Sequence, residues 1–137
     1  MKFLLDTDVV SQYRKLPPDP RVDAWMQRTN PYDMYISDVT YAELWYGIYR
    51  LPGGRRRTAL ENWVEDDLSM QFFNRVVGMS LEVSRRYGSI LARAEKNGHN
   101  AKTMDVLIAA IAAANGMVIA TLNAKDFRPL GAEIVEF

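Results

Sequence analysis

Lys2-Phe3-Leu4-Leu5-Asp6-Thr7-Asp8 is the stretch that decides the fold. An apolar run this short that stops at a carboxylate reads as a buried strand ending at a sheet edge. Outward from it the pattern recurs. Met34-Tyr-Ile-Ser37, Arg75-Val-Val-Gly-Met79, Val118-Ile-Ala-Thr121 and Ala132-Glu-Ile-Val-Glu136 read as four further strands. Helical segments separate them. The segment after Asp8 starts a helix that Leu16-Pro-Pro-Asp-Pro20 must break. Val22, Trp25 and Met26 fall at i, i+3, i+4 on a short amphipathic helix. Thr40 to Tyr49 is the next, ended by Leu51-Pro-Gly-Gly54, and a longer helix spans Arg55 to Phe73. Leu81 to Lys96 closes at Asn97-Gly98, and an Ala-rich helix from Thr103 to Asn115 stops at Gly116. Strands alternating with helices predict an α/β fold: one domain over residues 1–137 with a mostly parallel, five-stranded sheet flanked by helices.

Composition narrows the chemistry. The chain has 137 residues, 17 Lys+Arg against 17 Asp+Glu, one His and no Cys. Without cysteine there is no disulfide framework, thiolate metal site or nucleophilic thiol. With His99 alone, a multi-histidine zinc site is excluded as well. Zero net charge confines any nucleic-acid site to a local patch. The carboxylates of Asp6 and Asp8 interrupt the start where a signal peptide would need an apolar core. No run reaches the ~18 apolar residues of a membrane helix. The expected setting is the cytoplasm, with no membrane partner.

In parallel sheets the ligand site lies beyond the carboxyl ends of the strands. Asp6 follows the first strand, Asp38 the second, Asn123 and Asp126 the fourth, and Asp105 sits at a helix start that can face the same edge. Two carboxylates 4 Å apart repel by ~4 kcal/mol at an effective dielectric of 20, so a cluster of them implies a cation. All-oxygen donors without histidine suit Mg²⁺ or Mn²⁺ and phosphate substrates. Structural roles compete for each acid. Thr40-x-x-Glu43 reads as a capping box. Asp105 suits the first turn of any helix. Asp126 can cap a turn before Phe127-Arg-Pro129. Asp8 and Ser11 read as caps of the first helix. Asp6, ending a strand, has no evident capping task.

Four motifs in order now stand together: Leu4-Leu-Asp-Thr-Asp-Val-Val-Ser11, Ile36-Ser-Asp-Val-Thr-Tyr-Ala-Glu-Leu44, Thr103-Met-Asp-Val-Leu-Ile-Ala-Ala110 and Ala120-Thr-Leu-Asn-Ala-Lys-Asp-Phe127. The set resembles the PIN-domain ribonucleases, most closely the VapC/FitB-type toxins of bacterial toxin–antitoxin pairs, along essentially the whole chain. That resemblance implies an Mg²⁺-dependent endoribonuclease, with Mn²⁺ as an alternative ion. Asp6, Glu43 and Asp105 match the family's acids, with Asp6 and Asp105 as metal ligands. The fourth catalytic position is matched by Asn123 and Asp126; Asn123 is uncharged, so the fourth acid is either Asp126 or missing. Asp8 departs from the Asn that often stands there. The resemblance also implies an RNA substrate, a cognate antitoxin, a homodimer, and DNA contact only through the antitoxin.

Two other features have dual readings. Arg55-Arg-Arg57 makes a cationic patch suited to a phosphate backbone, or a solvated helix start. Arg is poorly placed for the dipole there, which favours the first. Tyr41, Trp45, Tyr46 and Tyr49 crowd one helix, as packing or interface residues do. Asp6-Thr-Asp8-Val-Val also fits a haloacid-dehalogenase-like phosphatase with Asp6 as nucleophile. That reading leaves Thr40-x-x-Glu43 unexplained. A PIN-like binding module without catalysis is the third.

Overall fold

Leu4 and Leu5 point to opposite faces of β1 (Phe3–Leu5), and both are fully buried. Alternation puts consecutive side chains on opposite sides, so a strand apolar at both positions must be covered on both. The computed structural model, which describes residues 1–137, provides that cover. β1 is central, paired in parallel with β2 (Met34–Ser37) and with β4 (Val118–Ala120). β3 (Val76–Val77) adds to β2, giving the order β3-β2-β1-β4, all parallel. One core contains Leu4, Ile119, Ile108, Ile111 and Phe127. The other contains Leu5, Ile36, Val9, Trp25 and Phe72. Each large aliphatic side chain buried there contributes about 1.5–3 kcal/mol.

The sheet has four strands, not five. Ala132–Glu136 forms only an isolated parallel bridge, Ile134 to Ile119, through Ile119 N to Glu133 O and Val135 N to Ile119 O, both 2.9 Å. Val135 and Phe137 pack instead on the second core, Phe137 edge-on to Trp25 with ring centroids 5.7 Å apart. Both ladder bonds are made to Ile119 alone, a single bridge rather than the run that a strand needs. The third strand is also shorter than expected. Arg75 N donates back to Phe72 O at 2.8 Å, closing the preceding turn, so Arg75 meets β2 only through its carbonyl, which accepts from Ile36 N at 3.1 Å. At the other end a Cβ on Gly78 would lie 2.2 Å from Asp38 Oδ2, so the strand ends where only glycine fits.

The helices follow the sequence closely. α1 (Thr7–Val10) runs into a 3₁₀ turn (Ser11–Arg14) that stops before the prolines, and α2 (Pro20–Arg28) is capped by Asp19. α3 (Asp38–Tyr49) begins two residues earlier than expected. The long helix from Arg55 is α4 (Arg55–Asn62), a π-helical segment (Trp63–Leu68) and α5 (Ser69–Gln71). Val64 and Leu68, both buried, lie in the π segment. α6 (Leu81–Lys96) packs along α7 (Thr103–Asn115), which ends on Gly116 at φ 64°, a left-handed conformation natural to glycine. α8 (Ala124–Phe127) follows β4. No helix is long and apolar enough to cross a membrane.

Candidate active site

Because β1, β2 and β4 are parallel, their carboxyl ends open on one edge. A cavity of about 470 Å³ lies there, and its wall includes Asp6, Glu43, Asp105 and Asp126, the four acids expected from the sequence. It also includes Asp8 and Asn123, with Lys102 as the sole cationic side chain. None of the acids takes part in an ion pair.

Asp6 stands at the end of β1 and is 6% exposed. Its Oδ1 accepts from Thr7 N and its Oδ2 from Thr121 Oγ1, both at 2.8 Å. Asp6 is therefore the N-cap of α1, a task the sequence did not suggest. Burial is the main cause that raises its carboxyl from 3.8 to about 7. The charge of Asp8 adds to this, the Thr121 and Thr7 bonds oppose it, and Glu43 adds a smaller push.

Neither Asp8 nor Ser11 caps the start of α1; Ser11 is its C-cap instead. Asp8 Oδ2 accepts from Leu122 N at 3.1 Å and from Asn123 Nδ2 at 3.0 Å. Asp8 Oδ1 is buried without a hydrogen-bond partner. Burial again raises its carboxyl, opposed by the Leu122 amide, while Asp105 pushes the same way as burial. Ser11 donates its hydroxyl to Thr7 O at 2.9 Å.

The capping box at Thr40 does not form either. Ser37 is the N-cap of α3, its Oγ accepting from Thr40 N at 3.1 Å. Thr40 is buried with its hydroxyl 3.1 Å from that of Thr7. Thr7 donates its one hydroxyl proton to Glu43 Oε1 at 2.7 Å and accepts from Thr40. Glu43 thus lies a turn into α3 and faces the cavity rather than a helix end.

Asp105 sits in the first turn of α7, as the dipole favours, and lines the cavity too. Its carboxyl is raised by burial first, then by Asp126, with Lys102 opposing and Glu43 adding. Asp126 makes no side-chain cap for α8, whose start is held by its backbone N–H bonding Asn123 O. Asp38 does not join the group; it lies against Gly78 and accepts from Met79 N at 3.4 Å. Sequence reasoning missed Asp8, Thr7, Thr121 and Lys102 as parts of the site. Only the Asp6-Thr-Asp8 spacing signalled the first of them.

Five carboxylates facing one cavity with a single lysine need positive charge. The unpartnered Asp8 oxygen and the uncompensated Asp6 are both suited to it. No three acids close on a point tightly enough to cage an ion by themselves. Such an open set fits Mg²⁺, which keeps several of its waters, better than an ion that needs a full protein cage.

The arginine patch and the aromatic side chains of α3 lie off this wall. Arg57 pairs with Glu61 at 3.0 Å and sits over Tyr49, while Arg55 and Arg56 are exposed. Tyr41 and Trp45 pack on the second core, as expected of packing residues, but Tyr46 and Tyr49 are exposed.

A parallel sheet with acids converging at its carboxyl edge is the frame of a PIN domain, and residues 3–132 match that family. The chain belongs to the PIN domain family. It is similar to VapC ribonuclease Y4jK of Sinorhizobium fredii, 35% identical over 97% of this chain and 95% of that one. It is 31% identical to toxin FitB of Neisseria gonorrhoeae over 91% of this chain and 90% of that one. The crystal structure of FitAcB from N. gonorrhoeae superposes with a TM-score of 0.89 at 28% identity, covering 98% and 96% of the two chains. FitAB bound to the IR36 DNA fragment matches with the same TM-score and identity, covering 97% and 93%. The family match and the two engaged oxygens of Asp6 argue against the phosphatase reading, which needs Asp6 free to attack.

Proposed function

We propose that this protein is a divalent-metal-dependent endoribonuclease, the toxin of a toxin–antitoxin pair. The observation that carries the reading is the convergence of five carboxylates at the sheet edge without a cationic partner among them. Relatives named as a ribonuclease and a toxin along nearly the whole chain support it.

Asp6 and Asp105 would hold Mg²⁺, or Mn²⁺, with Asp8 and Asp126 adding negative charge beside them. When bound, the ion neutralises phosphate charge and lowers the pKa of water, so no histidine base is needed. Glu43 positions the attacking water and takes its proton. The Thr7 hydroxyl fixes Glu43 Oε1, which leaves Oε2 for that task. Asp126 supplies the fourth acid, and Asn123 steadies Asp8. Thr121 and the α1 backbone hold Asp6 in one rotamer, so the carboxylates are arranged before any substrate arrives.

A nuclease of this kind in the cytoplasm needs restraint. FitAB, a solved neighbour, is a complex bound to DNA. We extend that arrangement to this chain: a cognate antitoxin covers the acidic cavity, an inserted arginine competes with the metal, and DNA is contacted through the antitoxin. The exposed Tyr46 and Tyr49 on α3 offer a face for the partner or for a homodimer. Expression of the chain alone should arrest growth, and Asp6→Asn should relieve the arrest. Harmless expression of a folded, RNA-cleaving protein would contradict the toxin role.

A further inference from the structure

A second cavity, about 210 Å³, adjoins the acidic one and shares Lys102, Asp105 and Asp126 with it. Its remaining polar lining is His99, Asn100 and Lys125. Here the balance of charge changes. Lys102 and Lys125 are exposed, and neither is in an ion pair, although two carboxylates share their cavity. Lys102 acts on Asp105 through space without bonding to it. His99 is exposed on the turn that joins α6 to α7, so the cationic lining comes from that turn and from α8.

Unpaired lysines converging on a concavity, with acids in reach but unbonded, are arranged for an anion from outside. The acids lie in the wall shared with the first cavity, whereas Lys125 lines only the second. A phosphodiester strand entering the acidic cavity therefore has one direction in which its next phosphate meets positive charge.

We infer that the cavity of His99, Lys102 and Lys125 is a phosphate subsite that seats the RNA backbone next to the cleaved bond. This rests on the ribonuclease reading for the identity of the strand. Lys125 is the clearest probe, since it lines this cavity and not the acidic one. It is a positioning residue: it anchors the strand and takes no part in the chemistry.

The test is anisotropy of a fluorescein-labelled, mixed-sequence, single-stranded RNA with the full chain in EDTA, titrated from about 50 to 200 mM salt. Lys125→Gln should weaken binding several-fold and lower the slope of log K against log salt by about 0.7, the value for one phosphate contact on a single strand. Lys125→Arg should restore both. Lys2→Gln, at the amino edge of the sheet where Lys2 lies over Tyr35, should change neither. An unchanged slope in Lys125→Gln, or no RNA binding by the unmodified protein, overturns the subsite. Cleavage of the same RNA after adding Mg²⁺ is read in parallel. Its absence with the slope change intact would overturn the ribonuclease reading and leave the subsite standing.

Discussion

Glu82 and Asp6 both serve helix N-termini, yet their surroundings are opposite. Glu82, in the first turn of α6, accepts from Arg85 and Arg86, and those bonds hold its carboxyl below the usual range. Asp6, capping α1, has no cation, and burial pushes it up to about 7. On the surface of α6, Glu82 is matched by bases three and four residues away, an ordinary source of helix stabilisation. At the carboxyl edge of the sheet, five acids share one lysine. The difference marks the candidate site: Glu82 is neutralised within its own helix, whereas the acids gathered at the sheet edge have no ion-pair partner and suit a cation from outside.

Breaking the acidic edge should have the largest effect. Glu43→Gln removes the proposed base while keeping the shape and the Thr7 hydrogen bond, since the amide oxygen still accepts. RNA cleavage should fall by about 10²-fold or more, with thermal unfolding unchanged. A stable, fully active Gln variant would return Glu43 to a structural role.

The next effect is on stability and has a defined sign. Folding raises the Asp6 pKa from 3.8 to about 7 in the metal-free protein. Between those values the native state holds a proton that the unfolded state has lost. The Asp6 contribution to stability therefore falls as pH rises from about 4 to about 7 and is level above that. Asp6→Asn should remove this fall and stabilise the metal-free protein at about pH 8 by a few kcal/mol, because a tenfold change in proton affinity is worth about 1.4 kcal/mol. Urea midpoints of both proteins across this range, in EDTA, would show it. A midpoint that is no higher in Asp6→Asn would mean that the Asp6 environment is not starved of positive charge.

Smaller still is the cap. Ser37→Ala should cost about 1 kcal/mol, read by chemical denaturation, because the Thr40 amide loses its acceptor. Glu43→Gln should leave stability alone, so the two variants separate cap from catalyst. At the other extreme, Glu82→Gln on α6 should shift neither activity nor the unfolding midpoint measurably, as is common for exposed pairs.

Much of this was legible in the residues. Phe3-Leu-Leu followed by Asp6 gave the central strand and its edge, because both faces of that strand are apolar. Gly116 gave the end of α7, because its left-handed backbone favours glycine. Local rules misled where two candidates competed for one role. Ser37 and Thr40 are both residues that can cap α3, and only the extended backbone at Ser37, ψ 157°, decides that the helix starts there and takes Thr40 into its first turn. Asp8 looked like a cap because its partners, Leu122 and Asn123, lie more than a hundred residues away. Lys125 and Lys102 carry no local signal at all, since their meaning depends on a cavity assembled from α8 and the α6–α7 turn. The π segment at Trp63–Leu68 likewise has no sequence signature that separates it from the flanking α-helix.

The central claim is that the unmatched carboxylates form a metal-dependent ribonuclease centre. It is tested most directly by incubating purified protein with single-stranded RNA in Mg²⁺ and in EDTA, alongside Asp6→Asn in Mg²⁺, and mapping the ends produced. Internal cleavage by the unmodified protein in Mg²⁺ alone, lost by orders of magnitude in EDTA and in Asp6→Asn, is the predicted result. Undiminished cleavage in EDTA, or by Asp6→Asn, would contradict it.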